Sequence, residues 1–252
     1  MNPGKTSVRL KAEAREQLLG NYKTVILAYM MIQLITSGCL SFVESQSDFH
    51  SISGNVIYIA VYLILSLFLA VFTVGQNNMY IKLAQQKSIA VKDIWFAFKT
   101  LADKCMIIQV LIFIKTFICS IPFIAATMLM LATKNYYLSI LVAATGIFFF
   151  IATVLILLDY SQVFFLILDH QDNTAKELLS MSRQMMKGQK ARFFYLMISF
   201  TGIYFLVILT LGLGMLWAYP YINATKAGFY LDITNQNPTP QTEIRPTINL
   251  TA

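Results

Sequence analysis

The chain has 252 residues, of which 57% are hydrophobic and only 12% are charged. Soluble domains carry about 25% charged residues, so this deficit, together with several uncharged runs near the ~20 residues of a membrane span, predicts an integral membrane protein. The length leaves room for five or six spans with short loops, and the three isolated cysteines argue against a disulfide framework.

Residues 1–22 form a basic amphipathic segment in which Gly20 is positioned to end a short helix. We expect this helix to lie on the cytoplasmic membrane surface; a helix that binds a protein partner is the alternative. Two apolar spans follow, at Thr24–Val43 and Val56–Tyr80. A Ser-rich outside loop, Glu44–Asn55, joins them.

Polar and amphipathic sequence surrounds the inner end of the second span. The amides at that end are expected to cap and hydrate the helix rather than bind a ligand. They are Gln76, Asn77 and Asn78. In the basic inside loop Lys82–Lys104, apolar residues recur at helical spacing, at Ile94, Trp95, Phe98 and Leu101. This pattern predicts an interfacial helix with its indole at the headgroup boundary.

Two ionisable residues interrupt the next two apolar spans. Lys115 lies in the third span, Cys105–Ala132, where an ionisable residue is a functional hypothesis; alternatively, its ammonium reaches the interface along its alkyl chain. Pro122 is expected to kink this span. Asp159 lies near the inner third of the fourth span, Leu138–Leu168, which is longer than a bilayer needs. Within hydrocarbon its natural partner is Lys115; if the helix projects into the cytoplasm, it is a solvated acid.

A polar amphipathic helix follows the fourth span. Thr174 and Glu177 have the spacing of a capping box at its start, and Gly188 is a natural helix end. The basic residues that come next are expected at the level of lipid phosphates. They are Lys187, Lys190 and Arg192.

The longest uncharged run has 33 residues, from Phe193 to Thr225. One crossing needs about 20 residues, so the run is too long for one span and too short for two. Gly212 and Gly214 supply a flexible turning point. We therefore predict a crossing at Phe193–Leu211 and a return helix with a polar face at Leu216–Asp232.

The C-terminal region also carries a family resemblance. Its residues are Ser182, Met186, Lys187, Gly188, Lys190, Phe194, Ser199, Phe200, Gly212, Gly214, Pro220, Tyr221, Thr225, Phe229 and Tyr230. Together they resemble the C-terminal signature of the Domain of Unknown Function 975 family, bacterial multi-pass membrane proteins with no assigned activity. That family is distantly similar to the membrane domain found beside some glycerophosphodiester phosphodiesterases. The chain departs from it at Pro122, which Phe123 follows where the family usually has a Pro-Gly pair. The resemblance implies a multi-pass helical fold and supplies no catalytic residues.

The net charge of +7 is unevenly distributed, since three segments hold 15 of the 19 basic residues. These segments are the N-terminal one, the second loop and the fourth loop, whereas the first loop has no Lys or Arg and the third has only Lys134. This alternation is the positive-inside pattern. It predicts both chain ends in the cytoplasm and contact with anionic lipid headgroups, and it argues against a nucleic-acid partner.

The strongest candidate for a binding site is a polar stripe on the return helix. Tyr219, Asn223, Lys226 and Tyr230 are spaced 4, 3 and 4 and share one face. Beside Tyr221 and Thr225, they could line a cavity with Lys115 and Asp159; alternatively, the face simply meets the interface and the cytoplasm. No metal, phosphate-loop or nucleophile motif occurs in the sequence, so we expect no catalytic residues and no cofactor or metal.

These observations predict an all-α integral membrane bundle of about six transmembrane helices with short amphipathic surface helices. Residues 1–232 would form a single polytopic domain of the cell membrane, and residues 233–252 a disordered polar tail. The favoured function is a non-enzymatic accessory, assembly or transporter-like protein with a possible membrane or cytoplasmic protein partner. The alternative, which rests on the resemblance, is the membrane domain of a lipid-handling enzyme.

Overall fold

The computed structural model describes residues 4–46 and 51–236, and all regular structure in these ranges is helical. Most of the predicted tail, residues 237–252, and positions 47–50 of the first outside loop lie outside the described residues. The helices in chain order are α1 Ser7–Leu18, α2 Tyr22–Gln46, α3 Ile52–Ala84, α4 Phe96–Thr100, α5 Ala102–Thr133, α6 Ser139–Asp159, α7 Val163–Asp169, α8 Ala175–Met185, α9 Lys190–Ile198, α10 Thr201–Leu209 and α11 Met215–Gln236. Short 3₁₀ helices lie at Val91–Trp95 and Tyr136–Leu138.

Five segments in the described part of the chain are long and apolar enough to cross a membrane. They are Tyr22–Gln46, Ser53–Ala84, Ala102–Thr133, Tyr136–Asp169 and Lys190–Leu209. The all-helical membrane bundle is therefore confirmed, with five candidate spans where about six were expected. The predicted return helix, α11, is formed but is not among the five.

Several local predictions are confirmed in the backbone. Gly20, Gly188 and Gly212 have φ values of 82°, 78° and 90°, which places each of them in the left-handed region at the end of a helical segment. The capping box of Thr174 and Glu177 is complete, because each side chain accepts from the backbone N–H of the other residue. α5 is continuous through Pro122, and the kink expected there stays a prediction.

Two of the spans are interrupted. The fourth stops at Asp159 and resumes at Val163, because Tyr160 leaves the helical conformation with φ −105° and ψ 9°. The fifth is broken between α9 and α10 at Ser199 and Phe200. Each break frees carbonyl groups that would otherwise bond within the helix, so they can accept hydrogen bonds from other elements.

The described residues divide into two compact units. The first consists of residues 4–42, 72–96 and 191–236, and the second of residues 43–46, 51–71 and 97–190. In the first unit α1 packs against α11 and buries Leu10, Ala14 and Leu18, which recur every four residues. The apolar face of α1 thus packs against a helix of the protein itself, and the location of α1 at the cytoplasmic membrane surface stays a prediction.

Exposed apolar side chains form a band along the candidate spans. In α3 they extend from Val56 to Leu69, and in α6 from Ile140 to Leu157. These stretches cover about 20 to 27 Å at ~1.5 Å per residue, which approaches the ~30 Å thickness of a bilayer core. After Leu69, α3 is largely buried as far as Leu83. Part of each helix is thus available to lipid, and the C-terminal end of α3 belongs to a protein core.

Candidate polar and basic sites

Asp159 forms an ion pair with Lys190 in the second unit. The Nζ atom lies 2.6 Å from Oδ1, and the Asp159 side chain retains only 14% of its exposure. The main-chain carbonyl of Asp159 accepts from the hydroxyl of Ser182, 2.8 Å away, which is fully buried on α8. Asp159 is therefore neither a partner of Lys115 nor a freely solvated acid; it links the end of α6 to α8 and to the start of α9.

Lys115 has a neutral partner. Its ammonium donates to the hydroxyl of Tyr160 and lies 4.3 Å from the centre of that ring. The expected pairing with Asp159 is wrong because α6 ends at Asp159, so the next residue, Tyr160, takes the position beside Lys115. Sequence spacing along two helices gave no sign of this break.

A basic cleft surrounds Lys115 and Tyr160. It has a volume of about 340 Å³. Its lining residues are Leu111, Lys115, Tyr160, Lys176, Leu179, Ser180 and Arg183. The last four belong to one side of α8, where Lys176, Ser180 and Arg183 are spaced 4 and 3. Among the described residues, three cationic side chains and no carboxylate line this cleft. The sequence reading placed Lys115 in a hypothetical site but did not select the α8 residues.

The polar stripe of α11 belongs to the first unit, and several of its side chains make contacts within that unit. The hydroxyl of Tyr219 donates to Oε1 of Gln76 over 2.7 Å, and its ring stacks on Tyr29 with centroids 4.2 Å apart. Asn223 donates to the carbonyl of Tyr219 on its own helix, and Tyr230 is fully buried. These three stripe residues, Tyr219, Asn223 and Tyr230, therefore bond or pack within the first unit, and we call them the polar brace.

Sequence reasoning missed the opposite side of that brace. Gln76 and Asn77 are only 5% exposed, because α3 continues to Ala84 instead of ending near Tyr80. The expectation that these amides hydrate a helix end is wrong. Gln33 adds a further contact by donating to the hydroxyl of Tyr29 over 3.0 Å.

Lys226 is the stripe residue that stands apart. It is half-buried, and burial lowers the pKa of its ammonium from the ordinary value. Among the described residues, no carboxylate forms an ion pair with it. A desolvated cation without a counter-charge destabilises the fold.

The two ends of the first unit meet at Asp232. Its carboxylate accepts from the guanidinium of Arg192 and from the backbone N–H of Lys5, the latter over 3.1 Å. Arg192 also donates to the main-chain carbonyl of Lys5 and lies over the ring of Phe229. The start of α1, the start of α9 and the end of α11 are thereby held together at one point.

Cations of α1 satisfy groups inside the protein. Lys11 donates to the carbonyl of Ser199 over 2.8 Å, at the break between α9 and α10, and lies 4.2 Å from the ring centroid of Phe200. Burial, followed by the nearby charge of Arg15, lowers the pKa of Lys11. Arg15 donates to the hydroxyl of Tyr221. These basic residues, like Lys190 and Arg192, thus have protein partners in addition to any contact with lipid.

Compared with known protein families, the sequence matches one family model over all of the residues that the structure describes. The family model described as "Protein of unknown function (DUF975)" matches residues 1–237. No curated protein and no solved structure matches the chain.

Proposed function

Because the chain belongs to the DUF975 family, whose function is unknown, we propose a function from its own residues: a non-enzymatic accessory or assembly protein of the cell membrane. It would be a multi-pass protein whose candidate spans contact lipid and whose basic side contacts lipid headgroups and a membrane or cytoplasmic partner. The observation that carries the proposal is the use of its ionisable and polar side chains as links between helices.

Carboxylates in the described part of the chain repeatedly serve as such links. Asp159 pairs with Lys190, and Asp232 pairs with Arg192. Lys82 pairs with Asp93, whose other oxygen accepts from the backbone N–H of Ala90. Each of these carboxylates is bound by a cation of another part of its unit, which suits a structural role better than general-base chemistry.

The meeting of Lys5, Arg192 and Asp232 supports an orientation with both chain ends on one side. α9 and α10 lead away from that point, and α11 returns to it after the turn at Gly212. The N-terminal segment and the loop before α9 are both rich in Lys and Arg, which favours the cytoplasmic side. We propose that side for both ends.

Depleting the protein from cells that express it tests the accessory role. An assembly factor stabilises its client, so membrane proteomics should find a defined set of membrane proteins reduced, with recovery on re-expression of the wild-type chain. Re-expression of Asp232→Asn, which breaks the link to Arg192 and Lys5, should restore them poorly. An unchanged membrane proteome after depletion, with altered uptake or release of a solute, would replace the accessory role with a transporter-like one.

The basic cleft around Lys115 favours one alternative, the membrane domain of a lipid-handling enzyme. Three cations beside the hydroxyls of Tyr160 and Ser180 have the chemistry to hold a phosphate group. The purified full chain, incubated with mixed phospholipid vesicles and divalent cations, should leave lipid composition unchanged by mass spectrometry. Turnover that is lost in Lys115→Gln would establish the enzymatic alternative.

A further inference from the structure

We propose that the basic cleft between α5, Tyr160 and α8 binds a phosphate-ester anion, supplied either by an anionic phospholipid or by a water-soluble phosphate monoester. The proposal depends on the chain's being embedded in a membrane and not on its accessory role, so either can fail without the other. Its basis is the charge, the donor set and the position of the cleft.

The charge of the cleft is uncompensated within the described residues. Lys176 and Arg183 are exposed on α8, and no described carboxylate forms an ion pair with either. Two acids of the second unit are engaged elsewhere, since Asp159 pairs with Lys190 and the carboxylate of Glu177 accepts from the backbone N–H of Thr174. Three cations around one cleft repel each other, and an anion that enters it relieves this repulsion.

The donors suit a tetrahedral oxyanion. An ammonium has three N–H donors; Lys115 directs one to Tyr160 and keeps the others available. Tyr160 accepts that bond, so its own O–H proton can be donated to a ligand oxygen. The guanidinium of Arg183 can contact two oxygens at once. Ser180, whose position in the sequence of α8 lies between those of Lys176 and Arg183, adds a hydroxyl to the lining of the cleft.

The position of the cleft matches the headgroup level of a bilayer. Leu157, 59% exposed, is the last exposed large apolar side chain of α6, and Tyr160 follows three residues later. That offset is about 4.5 Å along a helix axis, so Tyr160 lies just beyond the exposed apolar stretch of α6, and we place the lipid phosphates at this level. Leu111 and Leu179 supply apolar walls. The volume of about 340 Å³ falls in the range of roughly 300–1,000 Å³ typical of small-ligand sites.

The test compares two double variants that remove the same charge. Lys176→Gln/Arg183→Gln changes the cleft, whereas Lys92→Gln/Lys99→Gln changes two exposed lysines outside it. The full-length proteins in nanodiscs of phosphatidylcholine are titrated with phosphatidic acid or phosphatidylglycerol, and bound lipid is counted by native mass spectrometry. The cleft variant should lose roughly tenfold or more in affinity, since a hydrogen bond that involves a charged group contributes about tenfold or more. The matched control removes no donor from the cleft, so it should lose much less.

Competition distinguishes the two sources of the phosphate. If the ligand is a phospholipid, glycerol 3-phosphate at millimolar concentration should displace little bound lipid. If the ligand is a soluble phosphate monoester, glycerol 3-phosphate should bind to the wild type in the absence of anionic lipid, and its affinity should fall in the cleft variant. Lys115→Gln provides a second variant, inside the cleft but on another helix, and should weaken whichever ligand binds. Equal binding by the cleft variant, the matched control and the wild type, for both ligands, would overturn the proposal.

Discussion

Asp159 and Lys190 form an ion pair, with Nζ 2.6 Å from Oδ1, although 31 positions separate them in the chain. Lys115, which sequence reasoning favoured as the partner, bonds to Tyr160 instead. The pair contributes to stability because the carboxylate is largely shielded from water and the ammonium is about one-third exposed. Its strength should lie between that of an exposed pair and that of a buried one.

Breaking this pair should therefore lower stability measurably. Asp159→Asn and Lys190→Gln are each expected to cost about 1–2 kcal/mol, and the double variant should cost little more than either alone. Thermal unfolding of the purified proteins in detergent measures these effects. Lys115→Gln serves as the control, because its partner is a neutral phenol. A larger coupling of Asp159 with Lys115 than with Lys190 would contradict the structure.

The junction at Asp232 should be more sensitive. Its carboxylate is only 9% exposed and accepts from both Arg192 and the backbone of Lys5. Asp232→Asn leaves the guanidinium without its counter-charge and is expected to cost about 3–5 kcal/mol. Limited proteolysis should then cut near α1 sooner than in the wild type. Lys5→Gln is the matched control, since the side chain of Lys5 pairs with Glu13, whereas it is the backbone N–H of Lys5 that binds Asp232. If both variants resist the protease equally well, the junction at Asp232 is wrong.

Two tyrosines of the first unit should respond differently to loss of their hydroxyls. Tyr219 donates to Gln76, so Tyr219→Phe leaves a buried amide oxygen without that bond and should cost about 1–2 kcal/mol. The hydroxyl of Tyr80 is buried without a hydrogen-bond partner among the described residues, so Tyr80→Phe should be neutral or stabilising. Melting temperatures of the two variants, measured side by side, provide the test. Equal destabilisation by both would mean that Tyr80 has a partner of its own.

The architecture was predictable where the cause is local. Apolar runs of sufficient length identified the five candidate spans, because the bilayer sets their length. Gly188 and the pair Thr174 and Glu177 marked the ends of α8, since capping depends on residues within one turn of the helix. The family resemblance, carried by C-terminal residues, was confirmed over residues 1–237.

Partners across helices were not predictable in the same way. Helical spacing shows which residues share a face, but not what packs against that face. An apolar stripe such as Leu10, Ala14 and Leu18 suits lipid and α11 equally well, so the sequence could not choose between them. The break at Tyr160 decided the partner of Lys115, and no proline or glycine announces that break.

Gly75 should tolerate no side chain. A Cβ atom there would lie 2.1 Å from the carbonyl oxygen of Ile94, which is fully buried in the 3₁₀ helix Val91–Trp95. Gly75→Ala should therefore cost about 3 kcal/mol, the upper end of ordinary overpacking. Gly38→Ala is the matched control, because nothing lies within 4 Å of its Cβ position and alanine favours a helix over glycine by ~1 kcal/mol. If both variants fold equally well in detergent, the close approach of α3 to Ile94 is wrong.

Replacing Lys226 should raise stability. Because burial lowers its pKa in the folded protein below the ordinary value of 10.5, the unfolded chain binds more protons between those two pKa values, and stability rises with pH across that window. Below the folded pKa the penalty is fully present, so Lys226→Met should increase the melting temperature at neutral pH and remove the rise toward alkaline pH. Lys187→Met, at an exposed position, should change neither. A lower melting temperature for Lys226→Met would show that the ammonium has a stabilising partner and that the α11 stripe is more than a brace.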